Sequence, residues 1–397
     1  MKYIFCLLIS CTTLFSQTWT QLTDLPGAAR DDGFGSVNNG AAYFGTGSNG
    51  SFIENSFYKL DLSTNTWTTL TSMPAASNRQ YASAFAFSNY IFVAGGLGNA
   101  GAVFSDTYRY DIAAGTWSLV APKPGNAVWG ASSFTLGSKG YLVGGKFTNS
   151  VGSDEVWEYD MIANTWLQKS NFPFGARWRA AASVLNNVPY LVFGLDNTGT
   201  GAFRKEMYKY LPGTDTWVKL ADFPQPYKGR IYSAMQALNN KLVIFGGYDT
   251  LGTFFNDCWF FDETNGFVQG PSMPATVRKG GMSAALGNKF YYTCGISGSN
   301  IRLKETWMLD VPVGIKENFK GELFSVYPNP CSGTLSIKQT NEHQIQAIEL
   351  SEATGKKIFI KEKVQGQIDL SFLSPGMYFL RITNSEGASE VKKIIKD

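Results

Sequence analysis

The sequence predicts an all-β chain, a β-propeller of six four-stranded units followed by a small β-sandwich. Three observations carry this. A tryptophan placed seven residues ahead of a proline recurs at near-constant intervals. Each interval is filled by short apolar runs bounded by Gly, Asn, Ser and Pro, the pattern of strands joined by turns. Beyond about residue 320 the period ends and charge rises. Composition agrees, with 42 Gly, 58 aromatics (29 Phe, 19 Tyr, 10 Trp) and only 16% charged residues in 397. Charge is therefore well below the usual ~25%, which excludes a disordered chain or a charged helical bundle. A net charge of +3 is too small for a nucleic-acid binder.

Residues 1–16, "MKYIFCLLISCTTLFS", place one Lys before an apolar run and small polar residues. This is the layout of a secretory signal peptide, too short to span a bilayer that needs ~20 helical residues. Cleavage is expected before Gln17. A rival reading takes Leu8, Ile9, Ser10 and Cys11 as a lipoprotein box acylated at Cys11; the apolar core ahead of it is only about seven residues. After cleavage Cys258, Cys294 and Cys331 remain, an odd number without metal-ligand spacing. An exported protein can form one bridge from such a set, and small apolar side chains in strands or turns are the plainer account.

The repeat is read from three markers. Trp19/Pro26, Trp67/Pro74, Trp117/Pro124, Trp166/Pro173, Trp217/Pro224 and Phe267/Pro274 are spaced by 48, 50, 49, 51 and 50 residues. An aromatic-rich strand precedes the next anchor: "YKLD" at Tyr58, "YRYD" at Tyr108, "WEYD" at Trp157, "YKYL" at Tyr208, "WFFD" at Trp259 and "WMLD" at Trp307. A glycine pair closes an apolar run at Gly95–Gly96, Gly144–Gly145 and Gly246–Gly247, with degraded copies at Gly45, Gly194 and Gly295. Phrases such as "DLSTNTW" are tight turns into the fourth strand. A period near 50 with four strands per unit indicates radial repetition. No fourth strand follows "WMLD", and no first three precede "TWTQL" at residues 18–22. The N-terminal strand is therefore expected to complete the sixth blade and hide its edge.

These residues resemble the kelch repeat, a Gly-Gly doublet followed by Tyr and then Trp in this order, from Trp19 to about Asp310. The resemblance implies a six-bladed propeller with loops gathered at two faces of a central channel. The final segment, "VYPNPCSGTLSI", "ATGKK", "IDLSFLSPGMYFLRI" and "VKKIIK", resembles the C-terminal sorting domain of the type IX secretion system. That resemblance implies export across the outer membrane of a Bacteroidetes-type bacterium to the surface or the medium, with the secretion machinery as partner. The expected division is signal 1–16, propeller 17–312, linker 313–322 and sorting domain 323–397.

An Arg follows the motif proline at Arg30, Arg79, Arg177, Arg230 and Arg278, while the third repeat has Val128 and Trp129 in that slot. By the kelch resemblance this segment opens the inner strand near the channel mouth. A ring of guanidinium groups there suits carboxylates, phosphates or acidic glycans, with Tyr81, Trp129, Trp178, Tyr227 and Tyr232 as stacking partners. The plainer reading pairs each Arg with the acid that also repeats: Asp106, Glu155, Glu206, Asp257 and Glu305, with Ser56 in the first repeat. Departures from the repeat are Trp129, the extra Arg179 and the longer loop around Arg204. The candidate ligand-binding residues are thus Arg30, Arg79, Trp129, Arg177, Trp178, Arg230 and Arg278, for a glycan or protein ligand.

No cofactor or metal is expected. One His, His343, falls in the tail, so the propeller offers no histidine ligands for a copper centre and no serine–histidine pair. Asp31 and Asp32, adjacent acids, read as solvated rather than as part of a calcium site. The function expected is an exported, non-catalytic binding module. The alternative is a metal-free carbohydrate isomerase, by analogy with the sialic-acid mutarotases among six-bladed kelch proteins, with Glu206 and Arg230 as first candidates.

Overall fold

The computed structural model describes residues 17–198, 201–311, 324–339, 345–352, 356–362, 366–384 and 389–397. The expected signal peptide, the linker and His343 lie outside the described residues. The chain divides into two compact units, residues 1–313 and 314–397. Both are built from strands, with two three-residue 3-10 turns as the helical content described, and no helix among the described residues is long and apolar enough to cross a membrane.

The larger unit is a series of antiparallel sheets in sequence order. The first comprises Phe34–Asn38, Ala41–Gly45, Phe57–Asp61 and Thr66–Leu70. The second comprises Ser83–Phe87, Tyr90–Ala94, Thr107–Asp111 and Thr116–Val120. The third follows with Ser132–Leu136, Lys139–Val143, Val156–Asp160 and Thr165–Gln168, and the fourth with Ala181–Leu185, Val188–Val192, Glu206–Leu211 and Thr216–Asp222. The fifth holds Ala234–Leu238, Lys241–Asp249, Phe254–Asp262 and Gly266–Gln269, with Arg230–Ile231 added beside Lys241–Asp249. The last sheet joins Met282–Leu286, Lys289–Thr293 and Thr306–Asp310 to Thr18–Leu22, which pairs from Thr18↔Asp310 to Leu22↔Thr306. Leading strands lie against one another in succession, and Met282–Leu286 lies against Phe34–Asn38.

Aromatic side chains fill the wedges between neighbouring sheets. Phe57 of the first sheet meets Tyr110 and Trp117 of the second at 4.9 and 5.0 Å between ring centroids. Such pairs add to the large apolar area each ring removes from water. The motif tryptophans also tie repeats together by hydrogen bonds. Trp19, Trp67, Trp117 and Trp166 donate Nε1–H to the carbonyls of Pro271, Thr23, Thr71 and Ala121, each in the linker of the preceding repeat. Trp117→Phe keeps an aromatic ring, though a smaller one, and loses the hydrogen bond. The expected cost is about 1 kcal/mol, read as a melting shift of a few degrees, and a shift equal to that of Trp117→Ala would contradict this division of roles.

The glycine doublet survives where its letters do not. Gly95 and Gly96 have φ of 63° and 109°, and the same left-handed pair recurs as Thr46–Gly47, Phe193–Gly194 and Cys294–Gly295. The marker in the first repeat is therefore Thr46–Gly47 rather than Gly45. At Gly145 a Cβ would sit 2.5 Å from Val128 Cγ2 and 3.0 Å from Ala131 N, so close approach to the segment leading into the first strand of the same sheet adds to the conformational demand. Cys258, Cys294 and Cys331 are free thiols, each buried.

The smaller unit is two facing sheets. One holds Phe324–Tyr327, Thr334–Gln339 and Gln367–Asp369, and the other Lys357–Glu362, Ile345–Glu352, Gly376–Asn384 and Ser389–Lys396. Alternate residues, among them Leu335, Ile348, Leu350, Ile368, Leu380, Ile382 and Ile394, turn inward to one core. The first three residues of "ATGKK" lie outside the described residues, but the strands that flank them pair.

Candidate functional site at the channel mouth

The five arginines do not line an open surface. Arg30, Arg79, Arg177, Arg230 and Arg278 are each 0–1% exposed. A guanidinium buried this deeply needs partners for its five N–H groups. Arg79 donates to both carboxylate oxygens of Asp106 and to the Gly95 carbonyl. Arg230 does the same with Asp257 and Gly246, and Arg278 pairs with Glu305 at 2.5 Å. Arg30 binds the Ser56 hydroxyl at 2.7 Å and the Thr46 carbonyl, with Glu54 at 3.9 Å. The geometry therefore corrects the expectation of a guanidinium ring facing ligand: these side chains fold inward beneath the loops.

Two repeats depart. In the third, Lys123 occupies the vacated role. Its ammonium, buried against the Trp157 ring, binds the Pro124 and Asn126 carbonyls and Glu155 at 3.2 Å. Burial pushes its pKa down, and Glu155 opposes that. In the fourth, Arg177 binds the Gly175 and Ala176 carbonyls and reaches the Tyr208 hydroxyl at 3.5 Å, and its Nε has no partner. Burial lowers its pKa. Glu206 instead accepts the Lys205 amide, and Arg230 is taken by Asp257, so the Glu206–Arg230 pair considered for isomerase chemistry is not assembled.

Each slot, Arg or Val128, is followed two residues later by a left-handed residue. Asp32, Tyr81, Gly130, Arg179, Tyr232 and Gly280 have φ between 55° and 68°. Their backbones join head to tail: Asp32 N donates to Gly280 O, Tyr81 to Asp32, Gly130 to Tyr81, Arg179 to Gly130 and Tyr232 to Arg179, at 2.6–3.2 Å. Non-glycine residues in this conformation cost about 1 kcal/mol or more each. Four such residues in one narrow ring mark it as a place where side chains matter. Residues three repeats apart meet across it. Arg179 Nη2 lies 2.7 Å from Asp32 Oδ1, and the Tyr81 and Tyr232 rings are 6.3 Å apart. The Arg179 guanidinium also stacks 4.2 Å from the Tyr232 ring and 5.0 Å from Tyr81.

Beside this plug stand the aromatics that the sequence singled out. Trp129 and Trp178 pack edge to face at 5.3 Å, and Trp178 meets Tyr232 at 5.4 Å. Lys146 sits 4.1 Å from the Trp178 ring and 5.5 Å from Trp129. Lys279 lies 4.7 Å from Tyr232 and 4.4 Å from Tyr248. Neither ammonium has a carboxylate within ion-pair distance among the described residues. Burial lowers both pKa values, opposed at Lys279 by Asp32 and Asp31. Next to Arg179 and Tyr232 a cavity of about 150 Å³ runs down a wall of small residues such as Gly33, Ala131, Ser133, Ser233 and Gly281.

Asp31 and Asp32 are buried rather than solvated, at 6% and 3% exposure, and Asp31 is held by Arg302 Nε at 2.8 Å. No cluster of three or more metal-ligating side chains occurs among the described residues. Burial raises the Asp32 pKa from 3.8 to about 7, with Arg179 opposing and Asp31 reinforcing. A carboxyl raised in the folded state binds more protons there than in the unfolded chain, so stability falls as pH climbs from about 4 to about 7 and levels above it. Asp32→Asn is expected to flatten that slope in urea titrations at pH 5, 6, 7 and 8, and an unaltered slope would assign the pH dependence elsewhere.

Lys123, Lys146 and Lys279 escaped the sequence reading. Aligning the residue after each slot, Asp31, Gln80, Trp129, Trp178, Ile231 and Lys279, isolates Lys279 as a cation in a column without another. Lys123 lies five residues ahead of its slot, where no alignment of repeats reaches it.

Three family models match the chain. The Attractin/LZTR1 beta-propeller model covers residues 43–247, the kelch motif 229–274 and the secretion system C-terminal sorting domain 325–397. Over 123 residues, 29% of this chain and 30% of the relative, it is 35% identical to N-acetylneuraminate epimerase of Salmonella arizonae. The same enzyme of Salmonella typhi is 33% identical over the same length. The chain thus spans about 30% of the length of these relatives. The solved structure of YjhT superposes with a TM-score of 0.63 at 18% identity, covering 72% of this chain and 96% of that one. That likeness concerns the fold.

Proposed function

Because the chain belongs to the Attractin/LZTR1 beta-propeller family and ends in a secretion system C-terminal sorting domain, we propose that it is an exported six-bladed kelch propeller, closed by Thr18–Leu22, that binds an acidic glycan at its channel mouth. Pairing of Thr18–Leu22 with Thr306–Asp310 supports the closure. The sorting domain supports export through type IX secretion, with the surface or the medium as destination.

The observation that carries the ligand class is the pair of ammonium groups on aromatic faces. Lys146 over Trp178 and Lys279 over Tyr248 form no ion pair with a carboxylate among the described residues. Aromatic planes suit the apolar faces of sugars, and ammonium groups suit their carboxylates or sulfates. The test is a glycan array followed by titration calorimetry with acidic hits. Lys146→Ala is expected to weaken binding about tenfold, about 1.4 kcal/mol, with neutral sugars unaffected. Binding confined to neutral glycans, or none at all, would move the reading to a protein partner.

A second reading, carbohydrate isomerase, draws on the partial identity to the N-acetylneuraminate epimerases. Its test is anomer exchange of N-acetylneuraminate followed by NMR. Exchange no faster than in buffer removes it.

A further inference from the structure

Asp32 and Arg179 come from the first and fourth repeats and face each other across the channel at 2.7 Å. Asp32 Oδ1 meets only one arm of the guanidinium. Arg179 Nε is buried and has no hydrogen-bond partner among the described residues. The same side chain borders the cavity of about 150 Å³, so space lies beside an incompletely satisfied cation. Its surroundings explain why the pair is poised rather than locked. Around Asp32 stand Asp31 on its own loop, Tyr81 from the second repeat, Arg179 from the fourth, Tyr232 from the fifth and Lys279 from the sixth, while Arg302 is engaged by Asp31.

We propose that Arg179 is a latent anion receptor: the acidic group of a ligand in the mouth takes over its guanidinium, and Asp32 leaves the pair by accepting a proton from solvent. Ligand binding and proton uptake are then one event. The proposal rests on the acidic-ligand reading above and assigns the residue that reads the acid. Negative charge brought beside Asp32 raises its affinity for a proton, and by reciprocity protonation of Asp32 raises affinity for the anion. Asp32 already titrates near neutrality through burial, so the exchange falls within an ordinary pH range. Tyr81 and Tyr232, whose burial pushes their hydroxyl pKa values up, stay neutral throughout.

The experiment is calorimetry of the full chain with N-acetylneuraminate as probe, at pH 6, 7 and 8, in two buffers of different ionisation enthalpy. Wild type is expected to bind more tightly as pH falls, by up to about tenfold per unit, with net proton uptake at pH 7 to 8. Asp32→Asn is expected to bind at pH 8 as tightly as wild type at pH 6, with no uptake and no pH dependence. Arg179→Gln is expected to lose the pH dependence together with most of the affinity. Near-ultraviolet circular dichroism of the Trp129–Trp178 cluster checks that each variant is folded. Should one variant misfold, wild-type proton uptake still decides the matter. Wild-type binding that is flat with pH, releases no buffer-dependent heat and depends on Lys146 overturns the Arg179 assignment alone. Absence of binding by both wild type and Asp32→Asn overturns this assignment and the acidic-ligand reading together.

Discussion

Removing residues 17–24 lowers the melting temperature by about 10 °C. The deletion takes away Thr18–Leu22, leaving Thr306–Asp310 as an unpaired edge along five residues of ladder. It also removes Trp19, whose ring lies 5.1 Å from Phe245 and 6.1 Å from Phe290, and whose Nε1–H holds the Pro271 carbonyl. Trp19 is half-buried, so its loss together with the five-residue ladder is expected to cost about 3–5 kcal/mol, and a domain of this size shifts about 2–4 °C per kcal/mol. The exposed edge adds a second expectation, concentration-dependent association of the truncated protein. Thr18→Ala and Thr20→Ala, on the exposed face of the same strand, are the controls and are expected to change little. An unchanged melting temperature after truncation would remove the closure proposal.

What the sequence made legible follows from what a period can encode. Trp19, Trp67, Trp117, Trp166 and Trp217 mark outer strands because a wedge between sheets needs the same large ring at the same place in every repeat. The arginines were legible as a recurring charge but not in direction. A one-letter code carries no side-chain orientation, and both a ligand ring and buried pairs with Asp106 or Asp257 fit the same spacing. Left-handed backbone was visible at Gly130 and Gly280 but not at Asp32, Tyr81, Arg179 or Tyr232, where packing across the channel overrides local preference. The Asp32–Arg179 contact joins residues 147 apart. A contact at that separation is set by the packing of distant repeats, so no local pattern announces it.

Arg230→Met is expected to destabilise the protein by about 3–5 kcal/mol, more than most single changes at the mouth. The substitution leaves Asp257 in a buried place without the two N–H groups that it now accepts at 2.6 and 2.8 Å, with the Trp259 indole N–H as its remaining donor. It also leaves the Gly246 carbonyl without the guanidinium donor. Asp257→Leu strands the arginine in the same way. The double variant is the informative one. Replacing both partners with apolar residues removes the stranded charge, so much of the loss is expected to return. Recovery in urea denaturation, with a coupling of more than about 1 kcal/mol between the two changes, would identify a structural pair. Additive losses would show that the arginine acts through another partner. The consequence for the mouth is positional. Arg230 is followed by Ile231 and then Tyr232, as Arg177 is followed by Trp178 and Arg179, so each buried cation stands two residues ahead of a left-handed position of the ring. Arg177 is the exception, with carbonyls and a tyrosine hydroxyl in place of an acid. Its loop carries both Trp178 and Arg179. That loop is held by its backbone instead, through Arg177 N–H to Ser153, Trp178 N–H to Leu195 and Arg179 N–H to Gly130.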